Sequence, residues 1–557
     1  MQKSISFLAV ASLLGSLMTS PVVADESGGA TATPIKHIVI IFGENISFDH
    51  YFGTYPNATN PVGEPGFRAA DNTPTVNGLA GALMTSNPNF VNSGVNGAGA
   101  TNPFRLDRSQ AWTADQNHSD LPEQEAIDHG LMDTFPFSVG TAGPPPSGGG
   151  VFSTTGLDLG YYDGNTVTGL WNYAQHYALA DNAYGSTYGP SSPGAINLIS
   201  GQTNGILPAN ILNGQSNSYE VADGNGQYTL VGDADPIGDV CSAPTRNQVQ
   251  MSGKNIGDLL NAAGVTWGWF EGGFNLSTVN PNGTTGCSRS TASPFIAGLT
   301  SADYVPHHSA FQYYASTANP THARPTSVAS IGHAGDAGNH NYDTADFFTA
   351  VSNGNFPAVS FLKAPSIDDA HPGNSDPLDE QKFVVDTVNF LQERPEWSST
   401  LVVIFYDDSD GWYDHQLAPV VSQSVSAADA LSAPGACGSA ANAWPGVSGP
   451  NAQGRCGYGP RIPMQVISPW AKVNFVDHSI HDHTSIIHFI EDNWLSGTRI
   501  GQGSFDATSN SIATMLNFNA PPSDCKLLLD DSTGMPVRSL QPFGCGIGFT
   551  PFASLIR

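Results

Sequence analysis

Apolar residues are gathered along this chain in short blocks, and several blocks stop abruptly at polar residues. Val402, Val403, Ile404 and Phe405 form one such run, followed at once by Tyr406, Asp407 and Asp408, with Asp410 and Asp414 close behind. A short apolar, β-branched-rich run of that length predicts a strand buried on both faces. The segment "IKHIVIIFGEN" has the same shape, an apolar strand that gives way to Glu44 and Asn45. "FPAVSFLKA" and "RIPMQVISPWA" predict two further strands. Elsewhere the spacing becomes helical. In "DEQKFVVDTVNFLQERPEW", Val384, Val388 and Leu391 fall at i, i+4 and i+7, and Phe383 and Phe390 widen the stripe. "VTGLWNYAQHYALADNAYG" predicts a helix to about Leu179, "PGAINLISGQT" a short helix opened by Pro193, and "DHTSIIHFIEDNW" a helix with a polar start.

Strands that alternate with helices predict an α/β protein with a mostly parallel sheet, whose ligands sit at the carboxyl ends of strands. Residues 54–110 lack periodicity and read as long loops. The stretches around 205–300 and 416–460 are rich in Gly, Asn, Ser and Ala and read as insertions, and 501–557 as a loop-rich tail packed on the same domain. No internal repeat is present. One catalytic domain over 35–500 is therefore expected, although the length of 557 residues alone would suggest more.

Composition narrows the setting. Lys3, an apolar stretch from Ile5 to Met18, and the small residues up to Ala24 have the layout of a signal peptide over 1–24, followed by a short leader to 34. No other segment is long and apolar enough for a membrane span, so an exported protein without stable membrane insertion is expected, periplasmic or secreted. Six cysteines, with no CxxC pair, suit that compartment, and pairing as neighbours gives Cys241–Cys287, Cys437–Cys456 and Cys525–Cys545 as the simplest set among fifteen. A formal charge of −29 argues against nucleic acid or an anionic membrane as partner. Oligomeric state is not legible in the sequence.

Four groups of residues could carry chemistry. Glu44-Asn45 offers two hard oxygen donors suited to a divalent cation, although such a pair also makes a turn or helix cap. Asp407 and Asp408 follow so apolar a strand that burial is expected, and buried acids need a cation. A calcium loop of the EF-hand kind fails here, because Tyr406 stands at the first acidic position and no glutamate closes the loop. In "STYGPSSPGAINLISG", Pro193 places Ser191 and Ser192 at a helix N-terminus, where unpaired N–H groups favour an anion. It is not a G-x-S-x-G elbow. Histidines beside acids and loops, His118, His307, His308 and His371, complete the set. The cluster His478, His481, His483 and His488 lacks HExxH, and His483 reads more simply as a helix-opening structural residue.

Taken in order, "IKHIVIIFGENISFDHYFG", "GPSSPGAINLISGQT" and "IFYDDSDGWYDH" resemble the signature blocks of the bacterial phosphoesterase family of secreted acid phosphatases and phospholipases C, within the alkaline phosphatase superfamily. The resemblance covers about residues 35–500. It implies a three-layer αβα sandwich of the alkaline-phosphatase kind and one divalent metal ion held by Glu44, Asn45, Asp407 and Asp408 with Ser191. Its identity stays open among calcium, magnesium, zinc and iron. The resemblance further implies Ser191 as nucleophile, with His118, His307, His308 and His371 around the phosphoryl group of a small phosphate ester. His415 and His483 fall in recognisable blocks without an assigned role. Phospholipase C members similar to this pattern carry Thr at the nucleophile position and further C-terminal β-domains. Ser191, and only about 55 residues beyond the catalytic region, favour the acid phosphatase branch. Phospholipase C is the alternative, and a non-catalytic secreted binding protein the alternative of another class. Protonated histidines imply an acidic optimum.

Overall fold

A computed structural model describes residues 30–140, 150–207, 219–438, 446–447 and 449–537. The expected signal peptide, and Cys545 with it, lie outside the described residues. Eight strands form the central sheet: β1 (His37–Gly43), β2 (Ala178–Ala180), β3 (Trp267–Glu271), β4 (Asn341–Asp343), β5 (Val359–Lys363), β6 (Thr400–Tyr406), β7 (Met464–Ile467) and β8 (Phe475–Asp477). Their order across the sheet is β4-β3-β5-β1-β6-β7-β2-β8. Every pairing is parallel except the two made by β7, with β6 and with β2. β1 and β6 are buried at every position, so both faces of the sheet are covered. The fold is α/β, as expected.

The helices that matter to the site are α1 (Asp120–Ile127), α2 (Thr168–His176), α3 (Ser191–Ser200), α4 (Ile256–Ala263), α5 (Thr344–Ser352), α6 (Pro377–Gln392) and α7 (Thr484–Trp494). α3 packs on α7 and α2 on α6. Asp376 caps α6 by accepting from the amides of Leu378 and Asp379, with Pro377 in the first turn, where its missing N–H costs nothing. The apolar stripe of α6 is buried as read, with Phe383 and Phe390 at its half-buried edge.

Three differences from the sequence reading have physical causes. α2 ends at His176 instead of near Leu179, because Ala178, Leu179 and Ala180 are drawn into the sheet between β7 and β8. Tertiary pairing outweighs the helix preference of Ala and Leu. α3 begins at Ser191, two residues before the expected start, and accommodates Pro193 within its first turn. The stretch around 205–300 is not wholly peripheral. It contributes α4 and the aromatic strand "WGWFE", β3, to the central sheet. The disulfides Cys241–Cys287 and Cys437–Cys456 are formed as expected. Among the described residues, no helix is long and apolar enough to cross a membrane.

One histidine outside the site carries a stability prediction. His50 is buried, hydrogen-bonded through Nδ1 to the Gly160 carbonyl at 2.8 Å, and stacked on Trp412 at 3.8 Å. Burial pulls its pKa down to about 3. The unfolded chain therefore takes up a proton that the folded chain refuses. Stability at this residue is complete above about pH 6.5 and falls as pH drops toward 3, by about 1.4 kcal/mol per unit. His50→Phe is expected to flatten the acid limb of a Tm-versus-pH curve relative to the wild type. An unchanged acid limb would show that His50 does not titrate this way.

Candidate metal and phosphoryl site

Parallel register builds the site. Gly43 of β1 lies opposite Tyr406 of β6, so Glu44-Asn45 and Asp407-Asp408 leave the sheet side by side. A Cβ on Gly43 would meet the Tyr406 ring at 2.7 Å, and this close approach requires glycine. Asn45 adopts φ 64°, a left-handed conformation that asparagine tolerates better than most residues. Its amide N–H donates to Asp407 Oδ1 at 2.8 Å, and the Asp408 N–H donates to the same oxygen at 2.8 Å. The Asn45 side-chain NH₂ donates to Asp410 Oδ1 at 2.8 Å, so the Asn45 carbonyl oxygen points elsewhere.

α3 arrives at this edge N-terminus first. A Cβ on Gly194 would sit 2.3 Å from the Asp407 carbonyl oxygen, so only glycine allows the helix to come this near. Ser191 Oγ donates to Glu44 Oε2 at 2.8 Å. Ser192 is engaged elsewhere, its N–H and Oγ donating to Asp233 Oδ1 at 3.0 and 2.9 Å. The Ser191 hydroxyl thus faces Glu44, and the Ser192 hydroxyl faces Asp233.

Asn45 Oδ1, Asp407 Oδ2 and Asp408 Oδ2 are buried and receive no hydrogen bond among the described residues. Buried acceptors without donors are costly unless a cation meets them. Burial pushes Asp408 well above the usual carboxylate range, and the charge on Asp407 adds to it. Glu44 is raised for the same two reasons in the same order. For Asp407, burial is outweighed by hydrogen bonding to Glu44, the nearby Lys363 charge and the Asn45 N–H, which together hold it low. These oxygens fit a hard divalent ion well, since such an ion would satisfy the vacant lone pairs and relieve the mutual repulsion.

The four predicted histidines gather on this face. His118 Nδ1 is hydrogen-bonded to the Gln116 carbonyl at 2.9 Å and His371 Nδ1 to the Pro372 carbonyl at 2.7 Å, which assigns the Nε2 atoms to other partners. The His118 and His371 rings lie 5.9 Å apart, and His308 and His371 6.5 Å. His308 Nδ1 faces Glu44 Oε1 at 3.4 Å. His307 packs on His308 but lies between Asp233 at 3.8 Å and Asp235 at 3.6 Å, with one ring nitrogen toward each.

Several residues of the site were not singled out in the sequence. Lys363, the last residue of β5, is buried and ion-paired with Glu44 Oε1. Asp369 accepts the Glu44 amide through its carbonyl at 2.8 Å. Glu123 on α1 accepts from the Gly189 N–H at 3.0 Å and from Ser409 Oγ at 2.7 Å, tying the loop before Ser191 to the loop after β6. The available signal was Lys363 itself, a charge ending an apolar strand in register with Phe42, two residues before Glu44. His478, His481, His483 and His488 do not converge on one point. They pair with Asp181, Asp477, the Tyr406 carbonyl and Asp492 respectively. His483 opens α7, and His415 binds Asp49 at 2.6 Å.

A serine at a helix N-terminus, three buried oxygens without donors among the described residues and a fan of histidines thus share the carboxyl end of a mostly parallel sheet. The chain belongs to the Phosphoesterase family, which it matches over residues 35–495. It is 25% identical over 465 residues to a protein named non-hemolytic phospholipase C of Pseudomonas aeruginosa, covering 83% of this chain but only 54% of that protein. It is likewise 25% identical over 521 residues to phospholipase C B of Mycobacterium tuberculosis, covering 89% of this chain and 80% of that one. The chain thus spans about half of the Pseudomonas relative. A solved structure described as a protein in the alkaline phosphatase superfamily from Vibrio parahaemolyticus aligns at 11% identity over 80% of this chain and 82% of that chain. Its TM-score of 0.26 is too low to carry weight.

Proposed function

We propose that this chain is a metal-dependent phosphomonoesterase of the acid phosphatase kind, working through a phosphoserine on Ser191. The observation that carries the reading is the Ser191–Glu44 hydrogen bond, made at a helix N-terminus beside three buried oxygens without donors. Glu44, Asn45, Asp407, Asp408 and Ser191 would hold one divalent ion. Such an ion supplies charge neutralisation, a lowered serine pKa and polarisation of a phosphoryl oxygen.

Ser191 Oγ attacks phosphorus as its proton passes to Glu44 Oε2, and the P–O bond to the alcohol breaks. His118 protonates the departing alkoxide through Nε2: against burial, the charge of Asp408 and the hydrogen bond to Asp410 raise its pKa well above the usual histidine value, whereas burial lowers that of His308. Water then attacks the phosphoserine, giving a proton to the histidine that had lost one, the P–Oγ bond breaks, and Glu44 returns the proton to Ser191 Oγ. Protonated imidazole is the acid, so activity should fall once pH rises past the raised His118 value, and a rate that is flat on the alkaline side would count against the assignment. His307 lies between Asp233 and Asp235 beside His308. The two disulfides fit an exported, periplasmic or secreted protein.

A second reading, phospholipase C, is favoured by the names of the relatives. Side-by-side hydrolysis of a chromogenic phosphomonoester and of phosphatidylcholine separates the two. Monoester turnover as the faster reaction supports the proposal, and preferential release of phosphocholine moves the chain to the second reading. Bound metal with no turnover of either would leave a binding protein.

A further inference from the structure

Next to the proposed cation cradle lies a second convergence of ligand atoms. Glu44, His308 and Asp369 each offer an atom within 4.8 Å of the others, and all three residues are buried. Asp369 Oδ2 receives no hydrogen bond among the described residues, and His308 Nδ1 lies 3.4 Å from Glu44 Oε1 and 3.9 Å from Asp369 Oδ2. A carboxylate, an imidazole and a second carboxylate at such spacing make a three-ligand site for a divalent ion. Yet Glu44 Oε1, the oxygen that faces His308 Nδ1, is already taken by the Lys363 ammonium.

Lys363 comes from β5, the strand beside β1, and only 1% of its side chain is exposed. The charges of Glu44, Asp369 and Asp407 all act on it favourably, in that order, against the cost of burying an ammonium. The two oxygens of Glu44 therefore serve different groups. Oε2 accepts from Ser191, while Oε1 meets Lys363 and faces His308 Nδ1.

We infer that Lys363 stands in for a second divalent cation. Its ammonium fills a latent site made by Glu44, His308 and Asp369, and so limits the centre to one ion. The inference rests on the proposed cation cradle. An ammonium neutralises one charge and cannot be exchanged with solvent metal, so the protein keeps the electrostatic benefit of a second cation without depending on its supply. Removing it should uncover an ordinary metal site.

The test is metal stoichiometry, read by elemental analysis after dialysis of purified protein against manganese. The wild type is expected to hold one ion, K363A two, and the double variant K363A/H308A one again. A wild type holding no ion would defeat the cradle itself and not this inference alone. A wild type holding two, or a folded K363A holding one, would overturn the inference while leaving the cradle intact. K363A is also expected to melt lower than the wild type in chelator and to regain its Tm as manganese fills the second site. A variant recovered folded only in manganese, and carrying two ions, meets the expectation. One that stays unfolded in saturating manganese shows that an ion cannot replace the ammonium, and overturns it.

Discussion

Replacing Ser191 with alanine is expected to lower phosphomonoester turnover by at least about a thousandfold, because the step that forms the phosphoenzyme loses its nucleophile. The fold should survive. Ser191 is the first residue of α3, and alanine is a good helix former there. The lost hydrogen bond to Glu44 leaves a carboxylate that still meets Lys363, so a stability change of only about 1 kcal/mol is expected. KM should move far less than kcat, since the oxygens and histidines that meet the phosphoryl group remain. Ser192→Ala provides the contrast. Its hydroxyl serves Asp233, and activity should fall modestly or not at all. If Ser191→Ala kept wild-type turnover while Ser192→Ala did not, the nucleophile would be the other serine. Acid quenching of the wild type during turnover should trap phosphate on the chain, and the Ser191 variant should trap none.

Asp407→Asn is expected to abolish cation binding at the cradle and activity with it, while lowering stability in chelator. The first effect follows from one geometric constraint. Asp407 Oδ1 accepts from two backbone amides, those of Asn45 and Asp408, and an asparagine there must keep its oxygen at that position. Its NH₂ then replaces Oδ2, the buried oxygen without a donor, and points a positive dipole where an ion should sit. Loss of more than a hundredfold in ion affinity is expected. Without the ion, the same change removes a charge that burial opposes but that Glu44, Lys363 and the Asn45 N–H together favour, so the variant loses stability. Calorimetry with and without a divalent ion reads both halves. The wild-type Tm should rise on adding the ion, and the variant should start lower and not respond. A variant that still gains stability from the ion would place the ion elsewhere.

How much of this was legible beforehand varied with the kind of signal. The Val402–Phe405 and Ile38–Phe42 runs are apolar enough to fix two buried strands, and the acids behind them fix the edge at which the site lies. β3 was missed because its aromatic residues and glycine do not show the β-branched pattern, and its neighbours are polar enough to look like an insertion. Ala178–Ala180 was absorbed into a helix, since nothing local tells a three-residue alanine-leucine strand from a helix end. Within the site, residues following apolar runs could be read, but their partners across the sheet could not. Lys363 is visible only as a charge at the end of a strand, and its pairing with Glu44 depends on a register that no local pattern encodes. His307 was grouped with the other histidines by proximity, whereas its two aspartates arrive from a loop some 70 residues earlier.

The parallel register also bears on how the protein forms and comes apart. Asn45 and Asp407 are 362 positions apart along the chain, Glu44 and Lys363 319, and Ser191 and Glu44 147. No partly folded chain that has β1 but lacks β5 or β6 can present the cradle, so an ion has little to grip until the sheet is complete. Loops of this length are slow to close, and the ion cannot help close them. Divalent ion should therefore leave the refolding rate nearly unchanged and slow unfolding in proportion to its occupancy, acting as a latch on the finished sheet.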